Sequence, residues 1–447
     1  MPASTPRPLR FGTDGVRGIA GVELTTEFAQ RLGRAAAEVL GSSSVTQVVI
    51  GGDTRESTPS LSAALAAGFS AAGVEVISLG VAPTPMVAFE AQRRGCLGAV
   101  VSASHNPFHD NGIKLFAAGG RKLSDDVETL IEDALHRLDA PAQAAESAAL
   151  ETACDPGPYV DHVLSYLEGR RLDGMRIVVD TANGAAHAVG PAVLRAAGAD
   201  VVVIADRPDG RNINDGCGAT VPSLVAAAVL EHGADAGVAL DGDADRLIAV
   251  DHTGAVVDGD HIIAIVAGDL RSRGELRDET VVVTVMSNLG FRLAMQDAGI
   301  AVVETGVGDR YVLEALAAGG YSLGGEQSGH VIFADHATTG DGVLTAVALL
   351  DAVRRAGRPL AELARQAMTS LPQVLVNVEV ATRVPDVADR LADDIARVEA
   401  QLGGRGRVLV RPSGTEPLVR VMVEAPTPAL AQRAAEDLAA VLRGLFV

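Results

Sequence analysis

Three stretches of the chain repeat one order of apolar and polar positions. Each begins with a Val/Ile run, passes through a polar, glycine-containing turn and an Ala/Leu-rich helical pattern, and closes with a second apolar run; the stretches are residues 47–79, 177–204 and 281–304. Unbroken Val/Ile runs are typical of strands buried on both faces, and a glycine after each helix suits a left-handed C-cap. The pattern predicts three βαβ units with parallel strands covered by helices.

The last part of the chain follows a different order, in which short strands alternate with amphipathic helices. Strands are predicted at residues 375–380, 408–411 and 418–424, and helices at residues 384–402 and 430–445. Because the strands are short and are not arranged as βαβ units, this order predicts an α+β domain.

These two patterns divide the chain into four domains. Residues 140–158 are rich in Ala, Pro and Glu, and the pattern also breaks near residues 251–259 and near residue 371. A chain of 447 residues is too long for one hydrophobic core. We therefore expect three related α/β domains with mixed, mostly parallel sheets and a C-terminal α+β domain, with bounds at 1–152, 153–252, 253–370 and 371–447.

Composition and charge narrow the class of protein. Hydrophobic residues make up 48% of the chain and charged residues 21%, which is typical of a folded globular protein. The formal net charge is −20 and no cluster of Lys and Arg stands out, so a nucleic-acid partner is not expected. An anionic small molecule stays compatible, because a local set of Arg side chains and backbone N–H groups focuses positive potential in a cleft.

Signals for export, membrane insertion and disulfides are missing from the sequence. The first ten residues hold three prolines and no apolar segment, and no run of about 18 apolar residues occurs. Cys96, Cys154 and Cys217 are an odd number without C-x-x-C spacing. These features predict a cytoplasmic protein without a membrane partner.

The segment GAVVSASHNPFHDNGIKLF, residues 98–116, predicts a buried strand, a polar loop and a second strand. Ser104 follows the first strand, directly before His105, and Lys114 lies in the second strand. Pro107 fixes the turn, while N–H groups of the loop can orient a phosphoryl group. This favours Ser104 as a nucleophile. The alternative is an ordinary turn or N-cap serine.

The segment DGDADR, residues 241–246, places carboxylates at alternate positions after an apolar strand. Oxygen ligands at this spacing favour a hard cation, although an EF-hand would need Gly and Glu where the chain has Arg246 and His252. A site with open positions, as Mg²⁺ prefers, fits better than calcium. A solvated acidic turn is the alternative.

Three further loops are rich in glycine. GGEQSGH, residues 324–330, offers a carboxylate, a hydroxyl and an imidazole, which is a set typical of polyol binding. RPSGTEPLVR, residues 411–420, combines guanidinium and hydroxyl groups into an expected phosphate cradle, with a hairpin turn as the alternative. FGTDGVRG, residues 11–18, indicates no function alone. Walker and dinucleotide motifs are missing from the sequence.

Together these motifs resemble the α-D-phosphohexomutase superfamily. FGTDGVRG, SASHNPFHDNGIK, DGDADR, GGEQSGH and RPSGTEP occur in the family's order and approximate spacing over nearly the whole chain. The resemblance implies four domains around a central cleft that receives one loop from each. It also implies an intramolecular phosphotransferase that acts on hexose phosphates through a phosphoserine and a sugar 1,6-bisphosphate.

The resemblance assigns roles residue by residue. It implies one Mg²⁺ per chain and phosphorylation of Ser104, with metal ligands Ser104, Asp241, Asp243 and Asp245. The implied catalytic residues are Ser104, His105, Lys114, Arg17 and Arg246. The implied substrate-binding residues are Glu326, Ser328, His330, Arg411, Ser413, Gly414, Thr415 and Arg420. Glucose or glucosamine 1,6-bisphosphate is the implied primer, and the partner is a small-molecule sugar phosphate.

The subgroup is indicated by two features. Gln327 and the phrase VGDRYV, residues 307–312, resemble members that act on glucosamine phosphate, which supplies amino-sugar nucleotides and cell-wall precursors; glucose and mannose relatives commonly have Met at position 327. One departure is Val221, where an acidic residue or His often stands. A mutase for glucose or mannose phosphates, a hydrolase and a non-catalytic sugar-phosphate binder stay as alternatives. The oligomeric state stays open, a homodimer included.

Lysine is rare in this chain. Among its 37 basic Lys and Arg residues only Lys114 and Lys122 are lysines, so Lys114 calls for a chemical reason. An ammonium near other cations in a closed cleft has a lowered pKa and can exchange a proton, which a guanidinium cannot. We therefore expect a lowered pKa and an acid–base role for Lys114, in line with the resemblance. Simple pairing with a carboxylate or phosphate is the alternative.

Overall fold

The computed structural model describes residues 9–12, 14–41, 45–138, 155–382, 384–412 and 418–446. The chain forms two compact units. The first comprises Met1–Met286 and Ile300–Ala367, and the second comprises Ser287–Gly299 and Met368–Val447. Three sheets belong to the first unit and one sheet belongs to the second.

The first sheet has the strand order β1-β5-β4-β2-β3, with β6 paired to β5. Strand β2 runs parallel to β3 and β4, whereas β5 is antiparallel to β1, β4 and β6. Its elements are β1 (Val16–Ile19), α1 (Thr26–Leu40), β2 (Gln47–Gly52), α2 (Thr58–Ala71), β3 (Glu75–Val81), α3 (Thr84–Arg94), β4 (Leu97–Val101), β5 (Asp110–Ala117), β6 (Arg121–Lys122) and α4 (Asp125–Arg137).

The second sheet has the order β11-β10-β9-β7-β8. Strand β7 is parallel to β8 and β9, and β10 is antiparallel to β9 and β11. Its elements are α5 (Gly157–Ser165), β7 (Arg176–Asp180), α6 (Val189–Ala196), β8 (Asp200–Ile204), α7 (Ser223–His232), β9 (Ala236–Leu240), β10 (Leu247–Asp251) and β11 (Val256–Val257).

The third sheet has the order β13-β12-β14-β15. Strand β12 is parallel to β13 and β14, and β15 is antiparallel to β14. This part of the chain contains α8 (Gly259–Arg273), β12 (Thr280–Thr284), α9 (Leu289–Asp297), β13 (Ala301–Thr305), α10 (Asp309–Gly319), β14 (Leu323–Gly325), β15 (Val331–Phe333), α11 (Gly342–Ala356) and α12 (Leu360–Ala367). Helix α9, although it lies between β12 and β13 in sequence, belongs to the second unit.

The second unit contains an antiparallel sheet of order β16-β18-β17. Its core is made of Val, Leu and Ala side chains from the strands and the helices that follow them. The remaining elements are β16 (Gln373–Glu379), α13 (Val387–Arg390), α14 (Ala392–Leu402), β17 (Arg407–Pro412), β18 (Leu418–Glu424) and α15 (Pro428–Phe446). The α+β expectation is confirmed, but the helix predicted at 384–402 is two helices that meet at Leu391.

The three predicted βαβ units are present, each with its two strands paired in parallel. Antiparallel pairing is more frequent than the βαβ pattern alone indicated, because each sheet of the first unit adds a hairpin strand to its parallel centre. These hairpins are β4–β5, β9–β10 and β14–β15. Their connections are named here the serine loop (residues 102–109), the acidic loop (241–246) and the histidine loop (326–330).

The serine, acidic and histidine loops share one kind of position in the fold. All three are reverse connections of a hairpin, and each carries one of the motifs found in the sequence. In the second unit β17 and β18 also form an antiparallel pair, and the residues between them, 413–417, lie outside the described residues. No helix among the described residues is long and apolar enough to cross a membrane. Cys96 and Cys217 are buried free thiols.

Candidate active site

Ser104 lies in the serine loop with a backbone conformation that a non-glycine residue rarely adopts. Its φ is +52° and its side chain is completely buried. The backbone N–H donates to Oγ of Ser102 at 3.0 Å, and the hydroxyl donates to Oδ2 of Asp241 at 2.5 Å. A strained residue held by contacts on both sides is typical of a functional site.

Two residues that the sequence analysis did not identify hold the serine loop in place. Arg55 is fully buried, forms an ion pair with Asp53, and donates from Nη2 to the carbonyl oxygens of Ser104 and Asn106 at 3.2 and 2.6 Å. Nδ2 of Asn214 donates to the same two carbonyls at 2.9 and 3.2 Å. These donors fix the carbonyls, and so leave the serine hydroxyl directed towards Asp241.

His105 places its imidazole beside the serine hydroxyl. Its Nδ1 lies 3.2 Å from Oγ of Ser104. Burial, together with the positive charges of Arg246 and Arg17, lowers the pKa of His105 to about 4. The imidazole is therefore neutral near neutral pH. Because the serine hydroxyl donates to Asp241, a tautomer with its hydrogen on Nδ1 would donate to Oγ of Ser104.

The acidic loop gathers three buried carboxylates. Oxygen atoms of Asp241, Asp243 and Asp245 lie within 4.8 Å of one another. Burial and repulsion by the other two carboxylates raise the pKa of Asp241 well above its ordinary value. Burial also acts to raise the pKa of Asp245, but Lys114 and His330 outweigh it, so that this pKa is lowered well below its ordinary value. The repulsion among the three carboxylates therefore falls mainly on Asp241.

The donor set suits a magnesium ion. Oδ1 of Asp243 is buried and has no hydrogen-bond partner among the described residues, while its Oδ2 accepts from Thr84 at 2.7 Å and from Lys114 at 2.7 Å. Carboxylate oxygens are the ligands that a hard divalent cation prefers. Asp241 would place the Ser104 oxygen beside such an ion. Thr84, at the beginning of α3, is a supporting residue that the sequence analysis missed.

Lys114 lies among carboxylates, and its predicted pKa shift is wrong. Its Nζ lies 3.0 Å from Oδ2 of Asp14, 2.7 Å from Asp243 and 3.1 Å from Asp245. Burial acts to lower the pKa of this ammonium, but the three carboxylates outweigh it and the pKa is raised well above its ordinary value. We expected neighbouring cations, and the sequence did not indicate that strand β5 faces the acidic loop.

His330 ends the histidine loop and is buried against the acidic loop. Its Nδ1 lies 3.6 Å from Oδ1 of Asp245, and its Nε2 accepts from the N–H of Gly340 at 3.0 Å. A β-carbon at position 340 would lie 2.5 Å from that nitrogen, so Gly340 allows the close approach. Burial acts to lower the pKa of His330, but Asp309 and Asp245 outweigh it and the pKa is raised.

A cavity of about 400 Å³ opens next to these groups. Ser104, Asp241 and Asp243 are fully buried and do not line it. Asp245 and His330 do line the cavity. Asp245 belongs to the same carboxylate cluster as Asp241 and Asp243, and His330 contacts Asp245. The lining residues are Arg10, Gly12, Asp14, Gly15, Arg17, Asp245, Arg246, Val307, Gly308, Asp309, Glu326 and His330. A cavity lined by both cations and carboxylates suits a polar, charged small molecule.

The two predicted arginines of this unit reach the cavity. Arg17 forms an ion pair with Asp14, and Nε of Arg246 lies 3.8 Å from Oδ1 of Asp245. Burial acts to lower the pKa of Arg246, but Asp245 and Asp241 outweigh it and the pKa is raised. Both guanidinium groups therefore supply fixed positive charge at the cavity wall.

The rest of the histidine loop is more exposed. Glu326 lines the cavity and accepts from the N–H of Gly308 at 3.2 Å. Ser328 is exposed, does not line the cavity, and donates to Glu326 at 3.4 Å. Nε2 of Gln327 donates to Oδ2 of Asp258 at 3.2 Å. Of the predicted sugar-binding group, Glu326 and His330 are thus at the cavity.

Three charged residues that line the cavity were not identified in the sequence: Arg10, Asp14 and Asp309; Lys122, which contacts Asp14 and Asp309, was not identified as a site residue either. Lys122 lies 3.2 Å from Oδ1 of Asp14 and forms an ion pair with Asp309. Asp14 stands in the same motif as Arg17, and Asp309 stands in VGDRYV, so the motifs contained the signal. Lys122 had no local signal besides the rarity of lysine.

In the second unit, Arg411 and Arg420 stand opposite each other on β17 and β18. Neither makes an ion pair with a described residue. Burial and the charge of Arg420 lower the pKa of Arg411. Two adjacent guanidinium groups without a carboxylate partner favour an anion. The predicted loop residues Ser413, Gly414 and Thr415 lie outside the described residues.

Comparison with known families agrees with this geometry. Models described as phosphoglucomutase/phosphomannomutase alpha/beta/alpha domains I, II and III match residues 8–142, 157–254 and 258–371, and the C-terminal domain of the same family matches residues 375–441. The chain belongs to the phosphoglucomutase/phosphomannomutase family, a family of phosphohexomutases.

Its relatives point to one member of that family. The chain is 55% identical over 441 residues to the phosphoglucosamine mutase of Thermobifida fusca, which covers 97% of this chain and 98% of that protein. It is 56% identical over 447 residues to the phosphoglucosamine mutase of Frankia alni, with the same coverage.

Solved structures share the fold. A phosphoglucomutase/phosphomannomutase family protein from Burkholderia thailandensis superposes with a TM-score of 0.80 at 25% identity, covering 97% of both chains. N-acetylphosphoglucosamine mutase of Aspergillus fumigatus, in complex with GlcNAc-6P and magnesium, has a TM-score of 0.70 at 19% identity, covering 98% of this chain and 96% of that chain. The second likeness concerns the fold alone.

Proposed function

We propose that this chain interconverts glucosamine 6-phosphate and glucosamine 1-phosphate through a phosphorylated Ser104 and a 1,6-bisphosphate intermediate. The main supporting observation is the hydrogen bond from the Ser104 hydroxyl to Asp241. This bond places the proposed nucleophile next to three buried carboxylates, which lie beside a charged cavity. The phosphoglucosamine mutases more than 50% identical to this chain support the amino-sugar substrate. The reaction would supply amino-sugar nucleotides and cell-wall precursors in the cytoplasm.

The reaction has two phosphoryl transfers. In the first, the bond between phosphorus and Oγ of Ser104 breaks, a bond to the sugar's 1-oxygen forms, and the 1-hydroxyl loses its proton. The bisphosphate then reorients so that its 6-phosphoryl group faces Ser104. This phosphoryl group is transferred to Ser104 while the 6-oxygen gains a proton. The products are glucosamine 1-phosphate and the phosphoenzyme. Glucose or glucosamine 1,6-bisphosphate is proposed as the primer of the unphosphorylated chain.

The proposed metal is Mg²⁺, one per chain, held by Asp241, Asp243 and Asp245 with an oxygen on Ser104. When bound, it would neutralise negative charge on the transferring phosphoryl group. Phosphorylation removes the hydrogen that Ser104 donates to Asp241, so the phosphate and the carboxylate would repel each other. The unpartnered oxygen of Asp243 and the raised pKa of Asp241 support a cation at this position.

Four other side chains are proposed to stabilise charge, to transfer a proton or to orient the serine. Arg17 and Arg246 are proposed to stabilise charge on the equatorial phosphoryl oxygens. Lys114 is proposed to exchange a proton with the reacting sugar oxygen, and its raised pKa keeps it in the protonated form that the half-reaction protonating that oxygen requires. His105, neutral and next to the serine, is proposed to orient its oxygen.

The sugar and its second phosphate need binding groups of their own. Glu326, Ser328 and His330 are proposed to bind sugar hydroxyls. Arg411, Ser413, Gly414, Thr415 and Arg420 are proposed to bind the phosphate that is not being transferred. We also propose that the domains end at residues 152, 252 and 370, as the sequence predicts.

Intact mass and kinetics test the proposal together. Purified protein incubated with glucose 1,6-bisphosphate should gain one phosphate, and Ser104→Ala should not. Comparing kcat/KM for glucosamine, glucose and mannose 6-phosphates should rank glucosamine first. A higher value for glucose or mannose phosphate would assign the chain to the alternative substrates, and release of inorganic phosphate without a mutase product would indicate a hydrolase.

A further inference from the structure

Six side chains at or next to the cavity form a closed ring in which acidic residues alternate with lysine or histidine; Asp14 is partly exposed and the other five are largely buried. Neighbouring members are in contact all the way round. In order, the members are Asp14, Lys114, Asp245, His330, Asp309 and Lys122. Their sequence positions span more than 300 residues, so the ring connects all three sheets of the first unit.

One carboxylate holds both lysines of the chain. Nζ of Lys114 lies 3.0 Å from Oδ2 of Asp14, and Nζ of Lys122 lies 3.2 Å from Oδ1 of the same side chain. Gly15 permits this arrangement, because a β-carbon there would collide with the carbonyl oxygen of Ile113 in β5. Asp14 therefore contacts both ammonium groups at once.

The other half of the ring reaches the histidine loop. Lys122 forms an ion pair with Asp309 at the beginning of α10, and Oδ2 of Asp309 lies 3.2 Å from Nε2 of His330. Nδ1 of His330 lies 3.6 Å from Asp245, to which Lys114 also donates at 3.1 Å. Among the described contacts, Asp14, Lys122 and Asp309 are thus the three members of the ring without a hydrogen bond or ion pair to Ser104 or to the acidic loop.

Burial makes this pair more than a surface ion pair. The side chain of Lys122 is 11% exposed and that of Asp309 is 10% exposed. Removing one partner of a buried pair leaves the other charge uncompensated, and the neighbouring groups then rearrange to solvate it. Here the neighbouring groups are Asp14, which holds Lys114, and His330, which contacts Asp245; both border the cavity.

We propose that Lys122 and Asp309 are positioning residues for phosphoryl transfer, which act by fixing Asp14, and through it Lys114, on one side and His330 on the other. The inference rests on the proposed function, because it takes Lys114 and His330 as working residues. Displacing a catalytic group by about 1 Å can cost about 100-fold in rate. Positioning through this pair accordingly predicts a loss in kcat.

The test is a double-mutant cycle on the pair. Lys122→Met, Asp309→Asn and the double variant are compared with wild type, using glucosamine 6-phosphate and the concentration of phosphoenzyme found by intact mass. We expect each single variant to lose about 10- to 100-fold in kcat with KM within a few fold. The double variant should lose about as much as one single variant, because both changes break the same contact.

Two controls separate positioning from folding. Lys122→Arg keeps the charge between Asp14 and Asp309 and should recover most of the kcat. Asp351→Asn breaks a different, half-buried ion pair, that with Arg170 at 2.9 Å, and should lower the melting temperature without lowering kcat per folded molecule. If Lys122→Met does not fold, Lys122→Gln takes its place in the cycle.

The outcomes distinguish this inference from the proposed function. A kcat within twofold of wild type in folded Lys122→Met, or losses that multiply in the double variant, would overturn the positioning role. Wild-type protein that prefers another hexose phosphate would overturn the proposed substrate instead, and the cycle would then be measured on that sugar phosphate.

Discussion

The acidic loop and the histidine loop are both hairpin connections, but their surroundings differ. In the acidic loop Asp241, Asp243 and Asp245 are all buried, and their oxygens face cations and one another. In the histidine loop Glu326 is half-buried and Ser328 is exposed. Charges that are removed from water interact strongly, whereas exposed polar groups exchange partners with solvent at little cost.

This difference in burial indicates which residues should affect the rate of reaction and which should affect the choice of sugar. Changes near the acidic loop should alter the rate of phosphoryl transfer by orders of magnitude, and changes in the exposed part of the histidine loop should mainly alter the choice of sugar. Four substitutions test this contrast.

The largest effect is expected for Ser104→Ala. This change removes the oxygen that carries the phosphoryl group in the proposed reaction, so turnover should be abolished. The fold should survive, because the hydroxyl's main partner is Asp241, a proposed metal ligand rather than a part of the hydrophobic core. Turnover is measured with glucosamine 6-phosphate, and folding is checked by circular dichroism. Wild-type-like turnover in this variant would refute the covalent mechanism.

Lys114→Arg should lower kcat by about two to four orders of magnitude, the range typical of general acid–base catalysis. The guanidinium keeps the charge opposite Asp14 and Asp243 but does not release a proton. Substrate binding should stay within a few fold, which KM and direct titration measure. Lys122→Arg is the matched control and should change little. Near-normal kcat would show that charge alone matters at position 114, and the proton would then pass through His330 or His105.

Asp243→Asn should lower turnover by more than about 100-fold, since it removes a formal charge from the proposed metal site and leaves Lys114 with one carboxylate fewer. The Mg²⁺ concentration needed for half-maximal rate should rise. Titration of the rate against Mg²⁺ measures both quantities. An unchanged Mg²⁺ dependence would contradict the assignment of Asp243 as a ligand.

Gln327→Met should have the smallest effect on rate, a few fold or less, while shifting preference towards glucose phosphate. Its side chain donates to Asp258, the N-cap of α8, so the expected change is in the shape of the histidine loop. The ratio of kcat/KM for glucosamine and glucose 6-phosphates is the measurement. If this ratio does not move, Gln327 is scaffold.

Patterns that are local in sequence were predictable. The βαβ units, the α+β C-terminal part and the motif loops all follow from short-range periodicity and turn chemistry, which act within about 30 residues. The supporting residues Arg55, Thr84 and Asn214 could not be predicted in this way. No local sequence pattern distinguishes them from other polar residues, and only the folded chain places them against the serine loop or the acidic loop.

The pKa of Lys114 illustrates the same limit. The rarity of lysine identified the residue, but the sign of its pKa shift depends on which charges face it. Those charges come from Asp14, one hundred residues earlier, and from the acidic loop, more than one hundred residues later. Long-range electrostatics of this kind is a property of the assembled sheets.

The alternating ring also gives the protein a built-in reporter. Both lysine side chains of the chain belong to it, and they are only 4% and 11% exposed. Amine-directed acylating reagents and lysine-specific proteases therefore have two side-chain targets, and both are covered in this conformation. The rate of such labelling or cleavage would measure how often this ring becomes exposed to solvent, with no engineered probe, and arginine side chains do not react with these reagents.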